Sequence, residues 1–439
     1  MRGLVRPLPA SFPTWTPRTF FHYEVLHRSR REGSRARVGR IHTPHGVIDT
    51  PGFVVVGTNG AVKFVDSRAA DDAGMQLMFS NTLHLMIHPG PEVIGAAGGL
   101  HAFMGREDKP LITDSGGFQI FSFANRGQLA MPGEAGEFED AVDREAGPVS
   151  SRSEAAAAAA TDPDVPSLKS SRPMAARRTN PGYASGAVRV TEEGAHFRSY
   201  RDGAPLFLSP ESSVEAQKAI GADIIIPLDD LPAAGTTGAA LEASVERTHR
   251  WEARSLRAHL QQPQEQAMYG VVHGGLDRAL RTDSVGYLTS LPFDGFALGG
   301  SLGSSRADML ELVGDVVPQL PGDKPNHLLG IGDEESIAAA VPLGVDTFDS
   351  CFPTRLGRHG TLLTRQGRIK IGQGRHRSDY SPIDPACDGF VSQNHTRAYL
   401  HHLFKAHEPV VHGLCTLHNI KFMMDYMRGM RAKIWRDEL

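Results

Sequence analysis

Cysteine is scarce in this chain: Cys351, Cys387 and Cys415 are the only three in 439 residues. So few thiols exclude a secreted disulfide scaffold and point to a reducing compartment, the cytoplasm being the plain expectation. No apolar run approaches the roughly 18 residues that a membrane-crossing helix needs, so no transmembrane segment is expected. A basic excess is missing as well, because the formal net charge is −4. Any nucleic-acid binding therefore rests on charge gathered locally. No apolar run is followed by a dinucleotide or P-loop glycine fingerprint, which weakens a nucleotide-binding open sheet as the architecture.

Acidic residues are absent from Met1 to Phe21, which carry Arg2, Arg6 and Arg18. That bias is shared with organelle-targeting peptides, but Pro7, Pro9, Pro13 and Pro17 fit an amphipathic targeting helix poorly. A tail without fixed structure over residues 1–19 is the expectation, with targeting to an organelle as its alternative. Large apolar side chains are also sparse from Gln128 to Ala187, which includes the run Ala155–Ala160. Such composition buries too little surface to offset ordering entropy, so 128–187 reads as a flexible, low-complexity insertion.

The flanking stretches, 20–127 and 188–384, are patterned differently. Eight short apolar runs recur: Phe53–Gly57, Gln76–Ser80, Pro110–Thr113, Asp223–Leu228, Met268–Val272, Gly295–Leu298, His327–Ile331 and Val345–Phe348. Uninterrupted runs suit strands buried on both faces. Helical patterns at Ser213–Ile220, Ser244–Leu260 and Arg306–Val317 alternate with them, which points to a TIM (β/α)8 barrel. Arg37–Pro51, with Gly46 between two β-like runs, reads as an N-terminal hairpin capping the barrel bottom. Residues 385–439 read as a C-terminal helical subdomain, with helices over His395–Ala406 and His418–Lys433.

A barrel of this kind carries its chemistry where the strands end. The runs end in Ser80-Asn81, Asp114-Ser115-Gly116-Gly117, Asp229-Asp230, His273-Gly274-Gly275, Gly299-Gly300 and Asp349. A single strand-end aspartate is as well explained as a helix cap. Three on one rim are a different matter. One carboxylate can attack an anomeric carbon while another moves protons on the leaving and entering groups. A third can accept hydrogen bonds from a guanidine-like base edge, and glycines let a flat base approach the backbone. Between Asp349 and Asp379 there is no acidic residue, but there are Arg355, Arg358, Arg365, Arg368, Lys370, Arg375 and Arg377. That local positive stretch suits a phosphate backbone, although a basic run alone also fits a solvated loop.

These residues carry a family resemblance. Ser80-Asn-Thr-Leu-His-Leu, Gly98-Gly-Leu-His, Leu111-Ile-Thr-Asp-Ser-Gly-Gly-Phe-Gln and Gly295-Phe-Ala-Leu-Gly-Gly are four of the matching segments. Others are Asp323-Lys-Pro through Gly332, Gly344-Val-Asp-Thr-Phe-Asp, Pro353-Thr-Arg and Gly357-Arg. In them the chain resembles the tRNA-guanine transglycosylases, also called queuine tRNA-ribosyltransferases, over nearly everything outside the tail and the insertion. The resemblance implies exchange of guanine at the tRNA wobble position for queuine or a related 7-deazaguanine. Asp349 matches the family nucleophile that binds ribose covalently, and Asp114 the general acid/base. Ser115, Phe118, Asp229, His273, Gly299 and Gly300 match the base site, and Arg355 and Arg358 match residues that hold tRNA. Homodimers, or heterodimers with a paralogue, are the implied assembly, and a non-catalytic tRNA-binding subunit is the alternative role. A glycosidase-like barrel acting on small nucleosides would leave the basic stretch without a purpose.

The chain departs from the family pattern in three places. The family's structural zinc motif, Cys-x-Cys-x-x-Cys with a later histidine, keeps Cys387 and His418 here but has Gly389 and Ser392 at the other two positions. Two ligands do not hold zinc tetrahedrally, so loss of the metal is expected, with a site rebuilt through Cys415 or His395 as the alternative. His273 stands where the family usually has glutamine. Around the base, Leu231 and Gly303 replace residues seen in some bacterial members, and Ser305 stands where some members have an acid; the glycine would leave room for a large 7-substituent and the serine removes the acid, a combination that favours queuine.

Overall fold

Alternation of short, wholly apolar strands with amphipathic helices closes the chain into a barrel. The computed structural model describes residues 5–124, 188–233 and 235–439, so the insertion expected at 128–187 lies outside the described residues. The barrel strands are β1 (Gly52–Val56), β2 (Met78–Ser80), β3 (Leu111–Thr113), β4 (Ile224–Ile225), β5 (Ala267–Val272), β6 (Gly295–Leu298), β7 (Asn326–Leu328) and β8 (Thr347–Ser350). All eight pair in parallel, and β8 returns to β1 with Phe348 opposite Phe53 and Asp349 opposite Val54. The TIM barrel and the C-terminal helices expected from the sequence are both present.

Both strand faces are buried, which is why the runs do not alternate in polarity. Val54, Phe79, Ile112, Ile224, Tyr269, Val271 and Ala297 fill the barrel interior. Met78, Met268, Val272, Leu298 and Phe348 face the surrounding helices. Phe21, Ile41 and Ile48 from the N-terminal region join the interior cluster and plug the bottom. The hairpin forms as Arg37–Thr43 paired with Gly46–Thr50, and a third strand, His22–Arg28, adds to its outer edge. From Val5 onward the residues expected as a loose tail are laid against the barrel. Trp15 Nε1 donates to Asp294 Oδ1 at 3.0 Å, Arg6 pairs with Asp283 at 2.7 Å, and Phe12 is buried under Arg257.

Residues 188–208 add no barrel strand. Arg189–Val190, Ala195–Arg198 and Pro205–Leu208 form a separate antiparallel sheet in the β3–β4 connection. Its Ala195, Phe197 and Leu208 pack on Leu83, Ile120, Leu228 and Trp251. At the C-terminus, the helix Arg397–Lys405 sits over its own apolar cluster. The 26-residue helix Val410–Trp435 begins a full two turns before the expected His418. It ties that cluster to the barrel by placing Met423, Met427 and Ile434 in the main core.

One buried ion pair holds the plug to the barrel. Arg37 Nη2 and Nε lie 2.6 and 2.8 Å from the two oxygens of Asp346, just before β8. Tyr23 Oη and the Asn326 backbone N–H also donate to Asp346, each at 2.8 Å. Removing the carboxylate strands a guanidinium inside the protein. Asp346→Ala is expected to cost about 3–5 kcal/mol in chemical denaturation. A loss below about 1 kcal/mol would show that the plug is held by its apolar contacts alone.

Candidate active site

The rim where β2, β3, β4, β5, β7 and β8 end brings the expected residues together. Asp114 follows β3 directly. Its Oδ2 accepts from Asn81 Nδ2 and from Gln119 Nε2, each at 2.7 Å, and its Oδ1 accepts from the Thr82 backbone N–H at 2.7 Å. Burial still pushes the carboxyl above its ordinary value, against these donors. The turn after it needs Gly116, whose φ is +85° and whose missing Cβ would sit 3.3 Å from Leu83 Cβ. Phe118, in the first turn of the helix Gly117–Ala124, leaves its ring exposed on the rim.

Ser115 joins this turn to β4. Its hydroxyl lies 3.3 Å from Asp229 Oδ1 and accepts from the Gly117 N–H at 3.2 Å. The other oxygen, Asp229 Oδ2, is 2.8 Å from His273 Nε2. An ionised carboxylate only accepts, so Nε2 carries the hydrogen there. His273 continues the inward side of β5 after Tyr269 and Val271, and its ring lies against the glycines at the end of β6. A Cβ on Gly300 would stand 2.8 Å from His273 Nδ1, and one on Gly299 would stand 2.4 Å from Val271 Cγ1. Both glycines are thus required by close approach of two strand ends. Behind them Glu252 is fully buried; its Oε1 accepts from the Val271 N–H at 3.2 Å, and burial raises its carboxyl well above the ordinary range.

Asp349, on β8, faces Asp114 across the mouth, with β1 and β2 between them around the ring. Its Oδ1 accepts from His327 Nε2 at 3.0 Å and from the Gly330 N–H at 2.9 Å. Its Oδ2 has no hydrogen-bond partner among the described residues. His327 is in turn fixed by Thr347 Oγ1 at 2.8 Å from Nδ1. The sequence pattern places Asn81 on the rim without giving it a role, and it does not mark His327 and Gln119 as site residues. Only the inward parity of β7 distinguishes His327, which opens its apolar run directly after Asn326.

Arg355 and Arg358 lie on the helix Phe352–Arg358 that follows Asp349. Arg355 is buried, with Nη2 2.7 Å from Cys351 Sγ, and burial lowers the pKa of Arg358. Neither is a freely projecting surface cation. Gly303 has φ +97°, and its Cβ would strike Asp308 at 2.4 Å. Ser305 caps the helix Arg306–Val316 through Asp308 N at 3.1 Å. The glycine is thus accounted for by this capping turn, without reference to room for a base substituent.

The zinc-like region does not present a zinc donor set. His418 Nε2 lies 2.8 Å from the Leu363 carbonyl, which fixes the hydrogen on that nitrogen. Nδ1 is left to accept from the Ser392 hydroxyl at 3.3 Å. Ser392 thus takes up the electron pair a metal would use. Cys415 is buried among Leu362, Ile383 and Leu400, and burial pushes its thiol up to about 12. His395 lies between the Phe390 and Tyr399 rings. Among the described residues, no three converging His, Cys, Asp or Glu ligand atoms include Cys387, Cys415 or His418. The residues present do not fit the family's structural zinc.

A closed parallel barrel with three aspartates around its C-terminal mouth has the build of a barrel enzyme, and similarity supplies the class. A family model described as queuine tRNA-ribosyltransferase matches residues 32–151 and 174–439. A queuine tRNA-ribosyltransferase of Protochlamydia amoebophila is 48% identical over 419 residues, covering 95% of this chain and 96% of the relative. One of Chlamydia trachomatis serovar L2 is 45% identical over 418 residues, covering 95% and 99%. One of Chlamydia abortus is 44% identical with the same coverage. The chain belongs to the queuine tRNA-ribosyltransferase family, a family of pentosyltransferases.

With Ser392 paired to His418 Nδ1 in place of a metal, purified protein is expected to carry well under one zinc per chain by elemental analysis. Chelation then leaves its melting temperature unchanged. Stoichiometric zinc, or a melting temperature that falls with chelator, would contradict this account of the C-terminal region.

Proposed function

We propose that this protein exchanges guanine at the wobble position of tRNA for queuine or a related 7-deazaguanine, through a covalent bond between Asp349 and the ribose. The observation that carries the reading is the asymmetry of Asp349: Oδ1 is pinned by His327 and the Gly330 N–H, while Oδ2 is left unpaired at the mouth among the described residues. A carboxylate held by one oxygen presents the other in a fixed direction.

The reaction balances as two displacements at C1′. Asp349 Oδ2 forms a bond to C1′ as the bond from C1′ to guanine N9 breaks, and the proton guanine needs comes from Asp114. Guanine leaves. The incoming base gives its N9 proton back to Asp114, N9 bonds to C1′, and the Asp349 carboxylate departs. Asp229, backed by His273 and Ser115, accepts from the N–H edge of the base, and Phe118 offers a stacking face. Ser305 stands where some family members carry an acid, which supports queuine over an amine-bearing precursor; the nearby Asp308 carboxylate is taken up by the Ser304 and Ser305 N–H groups. The partner is tRNA, with Arg355 and Arg358 lying below its docking surface, and a homodimer or a heterodimer with a paralogue is the expected assembly.

A tRNA-binding subunit without activity is the second reading, and the missing zinc cysteines favour it. Labelled guanine, an unmodified tRNA whose anticodon begins guanine-uracil, and this protein alone separate the two. Incorporation is expected, with queuine competing, and Asp349→Ala should reduce it roughly 10³-fold or more without unfolding the protein. Binding of tRNA without incorporation would establish the accessory role instead.

Acid dependence gives a further test. Asp114 must be protonated to release guanine and ionised to take the N9 proton from the incoming base, and burial raises the pKa at which it passes from one form to the other above the ordinary 3.8. Exchange should therefore pass through a maximum and fall on both sides of it, with the acid limb lying above pH 3.8, while tRNA binding persists. An acid limb at or below the ordinary carboxylate value would contradict the assignment of Asp114.

A further inference from the structure

Arg281 is the most conspicuous buried charge that this mechanism leaves without a task. It lies in the helix Arg278–Thr289, which packs outside β5, and is 2% exposed. No carboxylate pairs with it among the described residues. Burying an unpaired guanidinium is costly, and burial alone lowers its pKa to about 9. A side chain kept there at that cost is held by its donors.

Those donors meet three backbone carbonyls. Nη1 donates to Val272 O at 2.5 Å, Nε to Gly275 O at 2.9 Å and Nη2 to Ser301 O at 3.0 Å. The first two carbonyls bracket His273-Gly274, and the third follows Gly299-Gly300. Ser284, three residues further along the same helix face, holds the other side of the histidine, because its hydroxyl accepts from the His273 N–H at 3.1 Å. Val272 O also accepts from the Gly299 N–H at 3.2 Å, so one carbonyl serves both loops. The turn is shaped around this arginine: a Cβ on Gly274 would stand 2.7 Å from Arg281 N and 3.0 Å from its Cγ.

We infer that Arg281 is a positioning residue for base recognition, clamping the loop at Val272–Gly275 to the loop at Gly299–Ser301 so that His273 and the Gly300 backbone meet the base as one rigid edge. Only a planar fork with donors in fixed directions reaches three carbonyls at once; lysine offers one rotating ammonium, and methionine offers none. The inference rests on the base-exchange reading of the site. It places specificity for the incoming base under the control of a residue that does not touch it.

The experiment uses Arg281→Lys, Arg281→Met and Ser284→Ala, with exchange measured while guanine and tRNA are varied separately. The KM for guanine is expected to rise roughly tenfold or more in the Arg281 variants and less in Ser284→Ala, with the KM for tRNA unchanged. In Arg281→Ala, methylguanidinium at sub-denaturing concentration should restore part of the guanine KM. Base and tRNA parameters falling together, without rescue, would reduce Arg281 to a general stabiliser and overturn the proposal. Hydrogen exchange of residues 272–275 and 299–303 supplies a readout independent of activity. Faster exchange in Arg281→Lys than in wild type is expected, and equal protection overturns the clamp even if wild type shows no base exchange. An inactive wild type with deprotected loops in the variant would instead fault the functional reading and leave the clamp standing.

Discussion

At the mouth of the barrel the hydrogen-bonded ladder ends, and buried backbone groups there must be paired by side chains. The constraint is absolute in practice, since an unpaired buried N–H or C=O costs about as much as a lost hydrogen bond. Here β4 leaves the ladder after Ile225, just before the residues that carry Asp229. The long helix Gly238–Gln261 supplies the missing partners. Ser255 Oγ accepts from the Leu228 N–H, Thr248 Oγ1 from the Asp230 N–H, and Ser244 donates to the Asp230 carbonyl. Glu252 takes the buried Val271 N–H on the neighbouring strand. Arg281 and Ser284 do the same for β5 and β6. The site is thus cut into a region where the outer helices reach through the wall and hold the strand ends one carbonyl at a time.

The two ends of the barrel divide the work accordingly. The bottom is closed by apolar residues and by the Arg37–Asp346 pair, whose charges are buried and satisfied by each other and by neighbouring backbone. The top carries carboxylates that are only partly satisfied: Asp114 is hydrogen-bonded at both oxygens yet destabilised as an anion, and Asp349 keeps one oxygen unpaired among the described residues. Stability is concentrated where chemistry is absent. This is the usual division in such barrels, whose active sites sit at the C-terminal ends of the strands.

How much of this is legible in the sequence depends on range. The barrel strands are legible because burial on both faces leaves runs that no surface strand would show; Gly295–Leu298 is read to the residue. Asp114, Asp229 and Asp349 are legible because each directly follows or ends such a run. His327 is not, since it sits at the start of its run next to another polar residue, Asn326, and only the direction in which each points tells the two apart. Arg281, Ser284 and Glu252 look like ordinary polar residues of amphipathic helices, and their inward aim is a tertiary fact. The sheet at 188–208 has strands of two to four residues, too short to show a period. The N-terminal segment is proline-rich and locally unpersuasive, and only distant partners such as Asp294 and Asp283 give Trp15 and Arg6 fixed places. The zinc motif's losses are plain in the sequence, but the pairing of Ser392 with His418, which explains how the region holds without the missing thiolates, is visible only in three dimensions.

The central claim is that Asp349 becomes covalently bonded to tRNA ribose during base exchange. Trapping tests it most directly: protein is mixed with tRNA and a base analogue that cannot complete the second displacement, the mixture is denatured, and the RNA-bearing peptide is located by mass spectrometry. The account predicts a denaturant-stable adduct on the peptide containing Asp349, attached through the wobble ribose and absent in Asp349→Asn. An adduct on the peptide containing Asp114, or exchange that proceeds with no adduct at all, would contradict it.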